Sequence, residues 1–136
     1  MKQEGKELLL KDLCGRLSYG VKMNHVADND ITQTTLVGIA KNMITLEDNG
    51  GYATANIDEY KPYLFPLSFM TEEIQDEIYK ETGLYDILDE EQIHIEVGTN
   101  LNSICKIFHI FNKYHLDYNG LIPMGLAIDA TGLNIY

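Results

Sequence analysis

The chain has 136 residues, of which 45% are hydrophobic and 23% are charged, and its formal net charge is −11. This length and composition predict one globular domain over residues 1–136 with its own core. So acidic a chain is expected not to bind nucleic acid, because such binding depends on cations that neutralise phosphates. No apolar run approaches the roughly 20 residues of a membrane-spanning helix, and no signal peptide is evident, so we expect a cytoplasmic protein without membrane contact.

The acidic charge is concentrated in one part of the chain. Residues 71–96 contain ten acidic side chains against one basic side chain, Lys80. This concentration favours solubility or a basic partner. The two cysteines, Cys14 and Cys105, match no metal-ligating spacing and have aliphatic neighbours, so both are expected to be buried and reduced.

The first predicted element is a helix over residues 4–17. Leu9, Leu13 and Leu17 recur at helical spacing, and charged residues occupy the opposite side. We interpret it as a helix that covers one face of a sheet. A docking helix for a partner is the alternative.

The chain from residue 20 to residue 57 is predicted to form strands. Short connections favour an antiparallel meander, and Asn49-Gly50 predicts a type I′ hairpin turn. With a fifth strand at 92–97, the expected fold class is α+β, built on a small antiparallel sheet or an SH3-like partial barrel. The four strands of the meander are predicted at residues 21–26, 34–40, 43–47 and 52–57.

The strap, as we name residues 60–71, is rich in aromatic and aliphatic side chains. It contains Pro62 and Pro66, which argue against a helix or a central strand, so we expect an extended segment joining strands to helices. If the strap is buried, it covers the core. If it is exposed, it forms an apolar patch that marks a partner site.

Two further helices are predicted, at residues 71–82 and 101–117. Thr71 is a suitable N-cap for the first, and Gly83 a suitable end. The broad apolar face of the second indicates that it packs at the centre of the fold. Truncation of Phe108 on that helix is accordingly predicted to destabilise the protein by ~3–5 kcal/mol.

The motifs of enzymes and cofactor-binding proteins are not found in the sequence. It contains no glycine-rich nucleotide loop, no clustered cysteines and histidines for zinc, and no nucleophile elbow. Asp28-Asn29-Asp30 resembles the start of a calcium loop, but the glycine and the terminal glutamate are missing. We therefore predict no catalytic residue, no metal ligand and no cofactor.

The strap resembles a motif of a known family. Its residues 61–73, KPYLFPLSFMTEE, are similar to a segment of small uncharacterised proteins encoded by phages, prophages and genomes of gut anaerobes. Residues 7–21 and 118–127 are similar to the ends of those proteins, so the resemblance covers most of the chain in outline. The family has arginine where Phe65 stands and serine where Phe69 stands, which disfavours a polar role for the strap. The resemblance implies a phage-related origin and no particular function.

The favoured hypothesis is a non-enzymatic accessory or interaction protein that binds a host or phage protein. The alternatives are a protein that binds or sequesters a small, nucleotide-like ligand, and an acidic nucleic-acid mimic. An enzyme is least favoured, and a homo-oligomer stays open. The predicted partner-binding residues are aromatic side chains of the strap and acidic side chains after it: Tyr60, Tyr63, Phe65, Phe69, Glu72, Glu73, Asp76 and Glu77.

Overall fold

The computed structural model describes residues 2–27, 33–83, 88–89, 92–93 and 101–136. Within them the fold is α+β, as predicted: an N-terminal helix, a mostly antiparallel open sheet, and two further helices. The helices are α1 (Gln3–Arg16), α2 (Glu72–Thr82) and α3 (Leu101–Lys113). The strands are β1 (Lys22–His25), β2 (Thr34–Ala40), β3 (Met43–Asp48), β4 (Gly51–Asn56), β5 (Tyr60–Pro66), β6 (Leu88–Asp89), β7 (Gln92–Ile93), β8 (Leu116–Asp117) and β9 (Ile128–Asp129).

The main sheet is built on the predicted antiparallel meander of β1 to β4. β5 pairs with the other edge of β1, which gives the order β4-β3-β2-β1-β5, and β8 and β9 pair with β5 in parallel. The sheet is open, because none of the described strands joins β4 to the opposite edge. The described strands therefore form the small antiparallel sheet that was predicted, with two open edges.

The connection between β3 and β4 has the predicted turn geometry. Asp48 pairs with Gly51, which leaves Asn49 and Gly50 as a two-residue link. Their φ angles are 49° and 81°. Positive values at both positions are what a type I′ turn requires and what asparagine and glycine tolerate.

The first half of the strap is a strand inside the sheet, so the prediction that its prolines prevent a central strand is wrong. The Val26 N–H donates to the Glu59 carbonyl, and β5 (Tyr60–Pro66) continues that pairing. The alternation of an antiparallel ladder then makes Met23 and Pro62 a pair without hydrogen bonds. Pro62 therefore loses no bond to β1, and the second proline merely ends the strand.

The predicted strand at 92–97 lies only partly within the described residues. Gln92–Ile93 pairs with Leu88–Asp89 in a separate two-stranded sheet. The part that is described is therefore not a fifth strand of the main sheet, because its partner is the segment just before it. Residues 94–97 lie outside the description.

The helices contribute to two separate groups of buried apolar side chains. α1 buries Leu9 and Leu13 against the strands, and α2 and α3 enclose a second group of apolar side chains that includes Ile78 and Phe111. α3 ends at Lys113, four residues before its predicted end. There His115 adopts a left-handed backbone with φ of 57°, and β8 follows.

Both cysteines are exposed, so the prediction that they are buried is wrong. Cys14 is next to the buried Leu13 in sequence but faces the other side of α1. On α3 the covered face is formed by Ile107 and Phe111, which leaves Cys105 outside. Aliphatic neighbours in sequence do not by themselves indicate which face of a helix is covered.

Candidate interaction surface

Four rings from distant parts of the chain form what we name the aromatic cluster: Phe65, Phe69, His115 and Tyr136. The rings of Phe65 and Phe69 stack with centroids 4.2 Å apart. The His115 and Tyr136 rings stack at 3.7 Å, and Tyr136 also approaches Phe65 at 5.9 Å. Phe69 and Tyr136 are 38% and 44% exposed, so the cluster reaches the surface.

Backbone hydrogen bonds hold the cluster in place. Phe65 lies on β5, and its N–H donates to the His115 carbonyl. The His115 N–H donates to the Asn112 carbonyl, where α3 ends. Phe69 follows in a 3₁₀ turn, Leu67–Phe69, directly after the strand. The cluster is therefore fixed to the sheet on one side and to α3 on the other.

The Tyr136 hydroxyl lies between two strands of the sheet. The pairing of Met23 with Pro62 would bring Lys22 opposite Tyr63 as the next hydrogen-bonded pair. Instead the Lys22 N–H donates to the Tyr136 oxygen at 2.9 Å, and that hydroxyl donates to the Tyr63 carbonyl at 2.8 Å. The hydroxyl thus bridges β1 and β5 where their direct ladder stops.

Burial governs the protonation of His115 and of the Tyr136 hydroxyl. Burial, together with the nearby Arg16 charge, lowers the pKa of His115 to about 4. Its Nδ1 has no hydrogen-bond partner among the described residues. Burial raises the pKa of the Tyr136 hydroxyl to about 12, although the residue as a whole is 44% exposed. Both rings are neutral near pH 7, so the cluster itself carries no charge.

The acidic start of α2 follows the cluster directly in sequence. The Thr71 side chain accepts a hydrogen bond from the Ile74 N–H and caps the helix, as predicted. Glu72 and Glu73 in the first turn are exposed, and so is Asp76 one turn later. Acidic side chains in the first turn interact favourably with the positive end of the helix dipole, so the start of α2 is a suitable place for them.

Glu77, in contrast, is part of the fold. Its carboxylate accepts hydrogen bonds from the Lys113 ammonium and the Tyr114 hydroxyl, which ties α2 to α3. These two bonds lower the pKa of Glu77, with that from Lys113 making the larger contribution.

The other predicted residues of the strap differ in exposure. Tyr63 is 2% exposed and packs against Ala130 and Ile135, which leaves it no surface for a partner in this fold.

Tyr60 is half-buried, and its ring meets the His25 ring edge to face at 5.0 Å. It lies at the start of β5, whereas Phe65 lies near the end. From the predicted set, the structure thus brings together Phe65 and Phe69, and the exposed acids of α2 follow them in sequence. His115 and Tyr136 were missed, because only tertiary contacts join them to the strap.

The buried ion pair of Arg16 and Asp12 holds the segment that follows His115. The Arg16 Nε donates to the Asp12 carboxylate at 2.7 Å, and its Nη2 donates to the Leu116 carbonyl at 2.7 Å. The guanidinium also lies 4.6 Å from the centre of the Tyr118 ring. The Asp12 carboxylate accepts a further bond from the Asn119 amide. These contacts fasten residues 116–119, and with them His115, to α1.

A cleft of about 530 Å³ lies elsewhere, between the start of α1, β5 and the loop before β9. Its apolar wall includes Val26 and Met124, which are 47% and 55% exposed. Lys2 and Lys61 line it together with two acids, and one of these, Asp58, pairs with Lys6 at 3.1 Å. The complete lining is Lys2, Glu4, Gly5, Val26, Asp58, Lys61, Met124, Gly125 and Leu126.

Within the described residues, no three or more histidine, cysteine or acidic side chains are grouped to hold a metal ion. Of the helices described, none has the length and apolar character to cross a membrane. Comparison of the chain with protein-family models, with curated proteins and with solved structures finds no match in any of the three. The resemblance to phage-encoded proteins therefore stays a prediction.

Proposed function

We propose that this is a non-enzymatic interaction protein that binds a segment of a partner protein at the aromatic cluster and the adjacent acidic start of α2. The observation that supports the proposal is the partly exposed group of Phe65, Phe69 and Tyr136, which the exposed Glu72 and Glu73 follow closely in sequence. Exposed ring faces attract cations, and ionised carboxylates complete such a site. The partner segment is accordingly basic and partly apolar.

The rigidity of the surface favours binding. Phe69 lies between Pro66, which ends β5, and Thr71, which caps α2, so both neighbours of the ring are fixed. The Tyr136 ring is held through its hydroxyl. A surface that is already ordered loses less side-chain entropy on binding.

A pull-down from a lysate of the producing organism, followed by affinity measurement with the captured partner, tests the proposal. We expect Phe69→Ala, and separately Glu72→Lys combined with Glu73→Lys, to weaken binding at least about tenfold, which corresponds to ~1.4 kcal/mol. Tyr52→Ala is the matched control, because Tyr52 is 71% exposed but lies on β4. If both surface variants retain every partner at wild-type affinity, the assigned surface is wrong.

The second candidate function is small-ligand binding, and the cleft near the start of α1 favours it. Its volume of about 530 Å³ lies within the range of small-molecule sites. Lys2 and Lys61 would attract an anionic group such as a phosphate. A thermal-shift screen with a nucleotide panel tests this function. A stabilisation that Lys61→Ala removes supports it, and no shift with any nucleotide rejects it.

Two further proposals rest on the sequence alone: that the protein is an acidic nucleic-acid mimic, and that it has a phage-related origin. Most of the acidic stretch after Gly83 lies outside the described residues, so the shape of its charge pattern carries no argument. A cytoplasmic location and a homo-oligomer likewise rest on the sequence alone. Salt-sensitive binding to a DNA-binding protein is the result that would favour mimicry over the aromatic surface.

A further inference from the structure

The cleft near the start of α1 has an aliphatic wall. Val26 and Met124 are 47% and 55% exposed, and Leu126 completes the wall. Among the described residues that line the cleft, none has an aromatic ring. A nucleobase therefore finds no ring on which to stack, whereas an aliphatic chain finds apolar side chains to contact.

Backbone hydrogen bonds fix the loop that carries part of this wall. The Gly125 N–H donates to the Ile122 carbonyl at 3.0 Å, and the Leu126 N–H donates to the Leu121 carbonyl at 2.9 Å. Gly125 has a φ of 75°, which glycine adopts without a steric penalty. This side of the cleft is therefore formed before a ligand enters, as in most small-molecule sites.

Lys61 is a half-buried cation at this cleft. Its side chain forms no ion pair and no hydrogen bond with the described residues. Asp58, which lines the same cleft, pairs with Lys6 instead, at 3.1 Å. Lysines that are withdrawn from water are usually paired with an acid. Lys61 is therefore available to an anion that enters the cleft.

The remaining charges of the lining favour a ligand with one negative charge. Because Lys6 pairs with Asp58, that carboxylate is already neutralised. What remains is two ammonium groups, those of Lys2 and Lys61, and one exposed carboxylate, that of Glu4. A singly charged anion complements this set. The additional charge of a nucleotide phosphate would be repelled by Glu4.

We infer that this cleft binds the anion of an aliphatic carboxylic acid. Its carboxylate pairs with Lys61, and its chain lies against Val26, Met124 and Leu126. The volume of about 530 Å³ suits a single small molecule. The buried chain supplies the affinity and the ammonium group fixes the orientation. The inference takes the cleft of the second candidate function but not its nucleotide ligand, so the two are tested against each other.

Calorimetric titration with decanoate, below the concentration at which it forms micelles, tests the inference. We expect saturable binding with a negative change in heat capacity, because the chain is buried. Acetate lacks the chain and decyltrimethylammonium has the opposite charge, so each should bind at least about tenfold more weakly at low salt. AMP should also bind more weakly than decanoate. Tighter binding of AMP overturns the inference in favour of the nucleotide candidate, and no binding of decanoate overturns it whatever the nucleotides do.

Two matched pairs of variants locate the site. Lys61→Ala should weaken decanoate binding at least about tenfold, whereas Lys11→Ala, on an exposed position of α1, should not. Met124→Ser should weaken binding, whereas Met43→Ser, at a 42% exposed position on β3, should not. None of the four side chains is buried, so their replacement leaves the core intact. Equal effects within either pair overturn the inference.

Backbone amide chemical shifts of the wild-type protein give a readout that needs no variant. Decanoate should shift the amide resonances of Val26 and Gly125, which line the cleft. Shifts confined to Phe69 and Tyr136 would place the binding at the aromatic cluster and overturn the inference. A protein that floats with phosphatidylglycerol vesicles but gives no signal with decanoate binds a lipid surface instead, which also overturns it.

Discussion

Replacing Asp12 by alanine leaves the guanidinium of Arg16 without its carboxylate partner in a site that water does not reach. Both side chains are fully buried, and Arg16 Nη1 already has no hydrogen-bond partner among the described residues. Breaking a buried ion pair by removing one partner costs about 3–5 kcal/mol, because the remaining charge is uncompensated. The Asn119 amide also loses its acceptor. Such a loss is a large share of the 5–15 kcal/mol that stabilises a typical domain.

The melting temperature should fall accordingly. An unfolding entropy of about 2.1 cal/mol/K per residue gives ~0.29 kcal/mol/K for 136 residues, so the expected decrease is about 10–17 °C. Urea unfolding followed by circular dichroism measures the free energy directly. The exposed pair of Lys6 and Asp58 is the control, and Asp58→Ala should cost less than about 1 kcal/mol.

A double replacement tests the reason for the loss. Asp12→Leu with Arg16→Met removes both charges, and we expect it to recover at least half of the stability that Asp12→Ala loses, because no unpaired charge remains. If Asp12→Ala costs no more than Asp58→Ala, the ion pair is not a buried, dry contact, and the reasoning is refuted.

Three further predictions concern protonation, turn geometry and core packing. The pKa of His115 is about 4 in the folded protein and 6.5 in the unfolded chain. Between these two pH values the unfolded state therefore binds a proton that the folded state does not bind. Stability should therefore fall as the pH decreases from about 6.5 to about 4, and urea titrations of His115→Asn should show a shallower loss across that window. Gly50→Ala forces a φ of 81° on a residue with a Cβ and should cost about 1–2 kcal/mol in urea unfolding, whereas Asn49→Gly should change the stability by less than about 0.5 kcal/mol. Phe111→Ala should cost about 3–5 kcal/mol, because Phe111 is fully buried. Phe108 is only half-buried, so Phe108→Ala should cost less than the ~3–5 kcal/mol expected from the sequence. Equal losses in urea unfolding would contradict this difference in burial.

The parts of the fold that were predictable depend on local patterns. The meander follows from alternation within each strand and from Asn49-Gly50, whose backbone preference is independent of the remaining chain. The helices follow from apolar spacing and from the Thr71 cap. These signals lie within a few residues of the structure that they specify.

The parts of the fold that the sequence did not predict depend on contacts between residues far apart in the chain. The strap forms a strand because β1 pairs with it on one side, and Leu116 and Ile128, more than 50 residues further along the chain, pair with it on the other. Asp12 and Arg16 are spaced like any solvated pair on a helix. They are buried because the segment at Leu116, 100 residues away, accepts a bond from the arginine. The aromatic cluster could be predicted only for Phe65 and Phe69, since the remaining rings join it from other elements.

The hydroxyl bridge between β1 and β5 also has a consequence for biosynthesis. Its donor and acceptor, Tyr136, lies 73 residues after Tyr63 and 114 after Lys22. At 5–20 residues per second, a ribosome needs about 4–15 s to extend the chain from the first tyrosine to the second. The hydroxyl bridge between β1 and β5 therefore cannot form until Tyr136 has been synthesised. The nascent protein completes this pairing only after Tyr136 has left the exit tunnel.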